Sequence, residues 1–130
     1  MKRIVLLLIC MALRSPLVAQ QCHVTISEVN KVPLSNNVVK WEFKNTSSKK
    51  IIGVKFAIIL TDAVGDHRSP TYQFSDKVSL EPGKKDCAMY GAHLERPEAT
   101  GGAWVALGKV LFEDGTTWEG GGCEKLGTWK

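Results

Sequence analysis

The sequence predicts an all-β protein, an immunoglobulin-like antiparallel β-sandwich of about seven strands preceded by a signal peptide. Three observations predict it. Apolar residues recur with period two in short runs, the signature of strands with one buried face. Clusters of turn-forming residues separate those runs at spacings of roughly ten residues. No segment after residue 20 carries a convincing helical period, so the crossovers that a parallel sheet needs have no helix to supply them. Two antiparallel sheets packed face to face bury such strands economically. A length of 130 residues suits one modest core, and 44% apolar residues with mixed charge exclude a disordered chain.

The first element is the signal, residues 1–19. Lys2-Arg3 form a positive start, Ile4 to Leu13 an apolar run, and Leu17-Val18-Ala19 offers a small residue at the cut. Ten apolar residues rise only about 15 Å as a helix, half a bilayer core, so this run does not span a membrane. Cleavage is expected near Ala19, which makes the protein secreted or periplasmic and leaves no membrane anchor in the mature chain. Gln21 before Cys22 is too large for a lipoprotein cut. Losing Lys2, Arg3 and Arg14 reduces the charge from +4 to 14 cations against 13 anions. That is too little field to hold a polyanion, so no nucleic-acid partner is expected.

The mature domain is expected over 20–120. Cys22 to Val29 alternates through Val24 and Ile26 as a first strand. In Val38 to Lys44, Val39, Trp41 and Phe43 face one way while Lys40, Glu42 and Lys44 face the other. After the polar turn 45–50, Ile51 to Thr61 is the longest strand, with Ile52, Val54, Phe56, Ile58 and Leu60 inward. Lys55, Ala57 and Ile59 line its other face, as in a central strand covered in part on both sides. Asp62 to Asp66 turns at Gly65, and Thr71–Phe74 and Asp76–Leu80 are two weaker strands. Glu81-Pro82-Gly83 is a tight turn, because proline presets φ and glycine tolerates the next position. Lys84 to Ala92 follows, then a loop over His93 to Gly102. Ala103–Glu113 and Thr116–Gly120 flank Asp114-Gly115, a pair suited to a two-residue hairpin turn. Residues 121–130 are expected as a Gly-led tail.

The run from Phe43-Lys44-Asn45-Thr46-Ser47 through Ile51 to Asp62, with Leu80-Glu81-Pro82-Gly83 after it, resembles the FxLYD-type immunoglobulin-like domains of secreted bacterial proteins. The hairpin Val110 to Trp118 resembles that of secreted relatives of unassigned function. The family's Leu-Tyr-Asp stands here as Leu60-Thr61-Asp62. The resemblance spans about residues 22–120 and implies a non-enzymatic sandwich.

Without Cys10, three cysteines remain: Cys22, Cys87 and Cys123. One bridge and one odd thiol follow, and export lets a bridge persist. Spacing does not choose the pair. Cys87 bridged to Cys123 or Cys22 is the preferred expectation, and the odd thiol allows a disulfide-linked dimer. Metal ligands normally come in close pairs. Among His23, His67 and His93, taken with Cys87 and Met89, the only near pair is Met89 with His93, so periplasmic metal handling is a further alternative and no cofactor is expected. Nucleophile elbows, phosphate-binding loops and dinucleotide fingerprints are absent from the sequence. Asn45-Thr46-Ser47 has the form of a glycosylation sequon. Trp41 belongs to the core, whereas Trp104, Trp118 and Trp129 are candidates for contact with a glycan or protein partner. The expected function is therefore a small exported, non-catalytic interaction or structural module, with a carbohydrate-binding module as the alternative.

Overall fold

The computed structural model describes residues 22–33, 38–91, 100–120 and 123–129. Every regular element among them is a strand: β1 (Val24–Lys31), β2 (Val38–Asn45), β3 (Ile51–Asp62), β4 (His67–Leu80), β5 (Lys85–Gly91), β6 (Thr100–Phe112), β7 (Thr117–Glu119) and β8 (Glu124–Thr128). One sheet has the order β1-β2-β5; the other runs β4-β3-β6-β7, with β8 also paired to β6. All pairings are antiparallel. First, second and fifth strands share one sheet and third, sixth and last the other, the immunoglobulin arrangement with the fourth strand moved to the second sheet.

The core lies between the sheets and follows the predicted alternation. Val39, Trp41 and Phe43 point inward from β2 and meet Phe56 and Ile58 of β3 and Val105 and Leu107 of β6. Trp41 stands edge-on to Phe56 at 5.2 Å and to Phe74 at 5.8 Å. Such T-shaped pairs add attraction beyond the buried area, because a ring's positive edge meets a negative face. On β3 the inward residue at the start is Ile51 rather than the expected Ile52. A register shift between Ile51 and Gly53 causes this, since one extra residue reverses which face every preceding side chain takes.

The turns hold with one refinement. Gly83 has φ 81° after Pro82, and the Lys84 N–H donates to the Glu81 carbonyl at 3.1 Å, as a type II turn requires. At Asp114-Gly115 only Gly115 has positive φ. The Gly115 N–H donates to Phe112 at 3.0 Å and the Phe112 N–H to Thr116 at 2.9 Å, so the loop has three residues and a glycine bulge rather than two. Asp62–Asp66 repeats that geometry around Gly65.

Two segments depart further from expectation. The two weak strands after residue 67 are one continuous β4, held by pairing with β3 although its own sequence contains Pro70, Gln73 and Asp76. The expected tail carries β8, which lies on β6 through Gly102↔Thr128 and Trp104↔Leu126. β7 and β8 are thus two pieces of one edge along β6. On the facing side, β1 bulges at Glu28, whose φ is 53°, as pairing slips between Ser27 and Asn30. The bulge seats the Val29 carbonyl over Gly127, where any Cβ would collide with it. Only glycine lets the two backbones approach so closely.

Candidate binding surface

Strand parity decides which tryptophan faces out. Ala103 and Val105 are fully buried, so Trp104 between them projects from the outer face of the larger sheet. The register places Ile59 of β3 and Leu126 of β8 directly on either side of it. Leu126 is 38% exposed, and Ile59 and Trp104 are half-buried. The next row is Ala57, Ala106 and Glu124, whose two small residues leave one flank of the indole low. The result is an apolar strip across three strands on the side away from the core.

Along the same face, Lys55 lies opposite Lys109, and Lys109 pairs with Glu119 at 3.2 Å. Beyond them Gly53 lies opposite Leu111, which is 37% exposed. A trough of about 340 Å³ opens there, with Lys77 and Asp76 of β4 on its far wall.

The other two tryptophan candidates serve the interior. Trp118 packs against the core and meets His23 edge-on at 5.6 Å, and His23 in turn meets Phe112 at 5.4 Å. His23 is therefore half-buried in a ring cluster rather than exposed in a loop. Trp129 also packs on the core, its backbone N–H donating to the Gly101 carbonyl at 2.7 Å. Its indole Nε1 is buried without a partner among the described residues, so ring packing holds it and not a hydrogen bond.

The bridge is Cys22–Cys123, which corrects the expectation that Cys87 takes part. Cys87 is exposed and unbridged. The reason is positional. Cys22 leads into β1 and Cys87 lies on β5 of the same sheet, but β2 lies between those strands, and Ala88 takes the inward position beside Cys87. Cys123 is buried against β6, where its carbonyl accepts the Leu107 N–H at 2.8 Å. The bridge thus ties the edge of one sheet to the edge of the other. Cys87 and Met89, the latter 54% exposed, share the outer face of β5, above a groove lined also by Lys40 and Glu42. The pair Met89–His93 cannot be described, since His93 lies outside the described residues. Among the described residues no three His, Cys, Asp or Glu side chains come together as a metal cluster.

The sequon is closed in the folded state. Asn45 is fully buried; its Nδ2 donates to the Lys49 and Leu80 carbonyls, both at 2.8 Å. Its Oδ1 accepts from the Ser47 N–H at 2.9 Å and the Ser47 hydroxyl at 2.6 Å. A glycan on Nδ2 would remove a donor hydrogen that the β2–β3 corner uses. Among the described residues the carboxyl with a large shift is Asp114, held down to about 2 from an ordinary 3.8. The Thr116 hydroxyl and backbone N–H both donate to it, and Lys49 lies at 3.2 Å. A carboxylate so stabilised clips the β6–β7 hairpin to the corner after β2 and is no proton donor near neutral pH.

No family model matches the chain, and no curated protein matches it in sequence. In fold it is similar to a hypothetical protein of Peptoclostridium difficile 630, with a TM-score of 0.52 at 11% identity over 78% of this chain and 88% of that one. It is similar also to the putative ApaA protein of Bordetella pertussis, with a TM-score of 0.51 at 20% identity over 79% and 90% of the two chains. Identities this low show the all-β fold alone.

Proposed function

We propose that the chain is a small, exported, non-catalytic binding module whose contact surface is the strip Ile59–Trp104–Leu126. The observation that carries this reading is the row itself. Three large apolar side chains stand abreast on a sheet face that no described strand covers, and Trp is among the residue types enriched as binding anchors. A flat indole beside two alanines suits either a sugar ring or an apolar side chain of a protein partner. Export is supported by the charged, then apolar, start of the sequence and by a disulfide that an oxidising compartment would preserve. The exposed Cys87 on edge strand β5 supports a disulfide-linked dimer as a further state of the same module.

The test is a binding screen of the purified mature protein against a glycan array and a panel of extracellular proteins. Trp104→Ala and Leu126→Ser are run beside it. The expected result is a ligand that the wild type binds and Trp104→Ala binds at least tenfold more weakly, with unchanged melting. Equal binding by Trp104→Ala, or a hydrolytic or redox turnover abolished by one polar substitution, would overturn the reading.

A further inference from the structure

We propose that the trough over Gly53 and Leu111 is a site for a small amphipathic anion, an apolar body bearing one carboxylate, sulfonate or phosphate. It goes beyond the Trp104 strip and does not depend on it.

The floor argues for an apolar body. Gly53 sits in the interior of β3 without positive φ, so no turn demands glycine there. Interior glycines mark a bulge or a close approach by another group; the register shift between Ile51 and Gly53 puts an irregularity here, and the missing side chain leaves a hollow beside it. A Cβ at Gly53 would meet Leu111 Cβ at 3.4 Å and Cδ2 at 3.8 Å, in ordinary contact. The hollow is therefore the space a side chain would fill, and its lack bares the flank of Leu111. At about 340 Å³ it falls at the small end of ligand sites, which run from roughly 300 Å³ upward.

The rim argues for an anion. Lys55 and Lys109 face each other in register across neighbouring strands, an arrangement that repels. Glu119 compensates Lys109, but Lys55 and Lys77 have no ion pair among the described residues. Asp76 is the one acid on the trough wall. Three lysines thus border an apolar floor beside two carboxylates, Asp76 and Glu119, one fewer than would neutralise them. An anionic group between Lys55, Lys77 and Lys109 would relieve the repulsion while its apolar part covers Leu111.

Anilinonaphthalene sulfonate serves as the probe, followed by its fluorescence, with uncharged N-phenyl-naphthylamine as the comparison. The wild type is expected to bind the sulfonate saturably at one site, and added salt to weaken it. Lys55→Gln with Lys77→Gln should weaken the sulfonate about tenfold, the scale of a lost charge-assisted contact, and leave the neutral dye unchanged. Gly53→Val fills the floor and should weaken both; Gly53→Ala replaces it if valine impairs folding. Trp104→Ala should bind the sulfonate as the wild type does, which separates this site from the Trp104 strip. Laurate or lauryl phosphate should displace the probe, the better one identifying the headgroup, and lauryl alcohol should not. No saturable binding, binding indifferent to the lysine and Gly53 substitutions, or equal displacement by the alcohol would each overturn the site.

Discussion

Replacing Asn45 by alanine is expected to be among the most damaging polar substitutions in this protein. The side chain makes four hydrogen bonds, two donated by Nδ2 to the Lys49 and Leu80 carbonyls and two accepted by Oδ1 from Ser47. Each is worth about 1 kcal/mol net, and a buried partner left unsatisfied costs about 1–3 kcal/mol. The bond to Leu80 is fully buried, while those to Lys49 and Ser47 are reached in part by water. The sum is about 3–5 kcal/mol, which lowers Tm by about 15–30 °C in a domain of this size. Urea denaturation followed by tryptophan fluorescence measures it directly. Asn45→Asp adds a signature that simple loss of packing cannot mimic. Its carboxylate would aim negative charge at two carbonyls, so its folded pKa lies above the unfolded value of about 3.9. The folded state then binds more protons than the unfolded one between those two values. Relative to wild type, the variant's deficit is therefore smallest at low pH and grows as pH rises toward the folded pKa. A loss below about 1 kcal/mol for Asn45→Ala, or an Asn45→Asp deficit independent of pH between 4 and 7, would refute the reasoning.

The remaining predictions concern the bridge, the odd thiol and the charged hairpin. Cys123→Ser opens a loop between residues 101 apart in sequence, and a loop of that length corresponds to about 4–5 kcal/mol of lost stability by chain entropy. Differential scanning calorimetry of oxidised and variant protein reads this loss. In native protein without reductant a maleimide should add once, at Cys87, and intact mass with peptide mapping shows whether Cys22 or Cys123 is modified instead. Asp114 should titrate near 2 by carboxyl NMR, and Thr116→Val should move it up toward 3.8. Because the folded pKa is depressed, the contribution of Asp114 to stability is present above about 3.8 and fades as pH falls toward 2.

Much of this architecture is legible along the chain because it rests on local chemistry. Trp41 between Val39 and Phe43 needs nothing but the period-two pleat to be placed inside. Pro82-Gly83 makes its turn from the φ preferences of those two residues alone. The Asp114-Gly115 hairpin is recognisable too, though its loop is one residue longer than the pair suggests. What escapes local reading depends on neighbours. Ile51 replaces Ile52 in the core because the pairing of β3 with both flanking strands shifts there. Glu124 to Thr128 has no strand pattern of its own. It becomes β8 because the bridge at Cys123 and the close fit of Gly127 under Val29 hold it on β6. The outer row on β3, β6 and β8 was legible only in part: Ile59 could be read as lying on the second face of its strand, Trp104 stood as one of three tryptophan candidates with no face assigned, and Leu126 joined them only with β8.

The sequence by itself determined an all-β chain, the inward faces of β2 and most of β3, and the places where the backbone turns, since each depends on residues within a few positions. Only the tertiary structure decided that Cys22 pairs with Cys123, that Trp104 faces out while Trp118 and Trp129 pack inward, and that Asn45 is a buried corner rather than a glycan site. Those outcomes turn on which distant strands become neighbours and on single-residue slips of register. A slip of one residue reverses a face, and a one-dimensional pattern does not contain it.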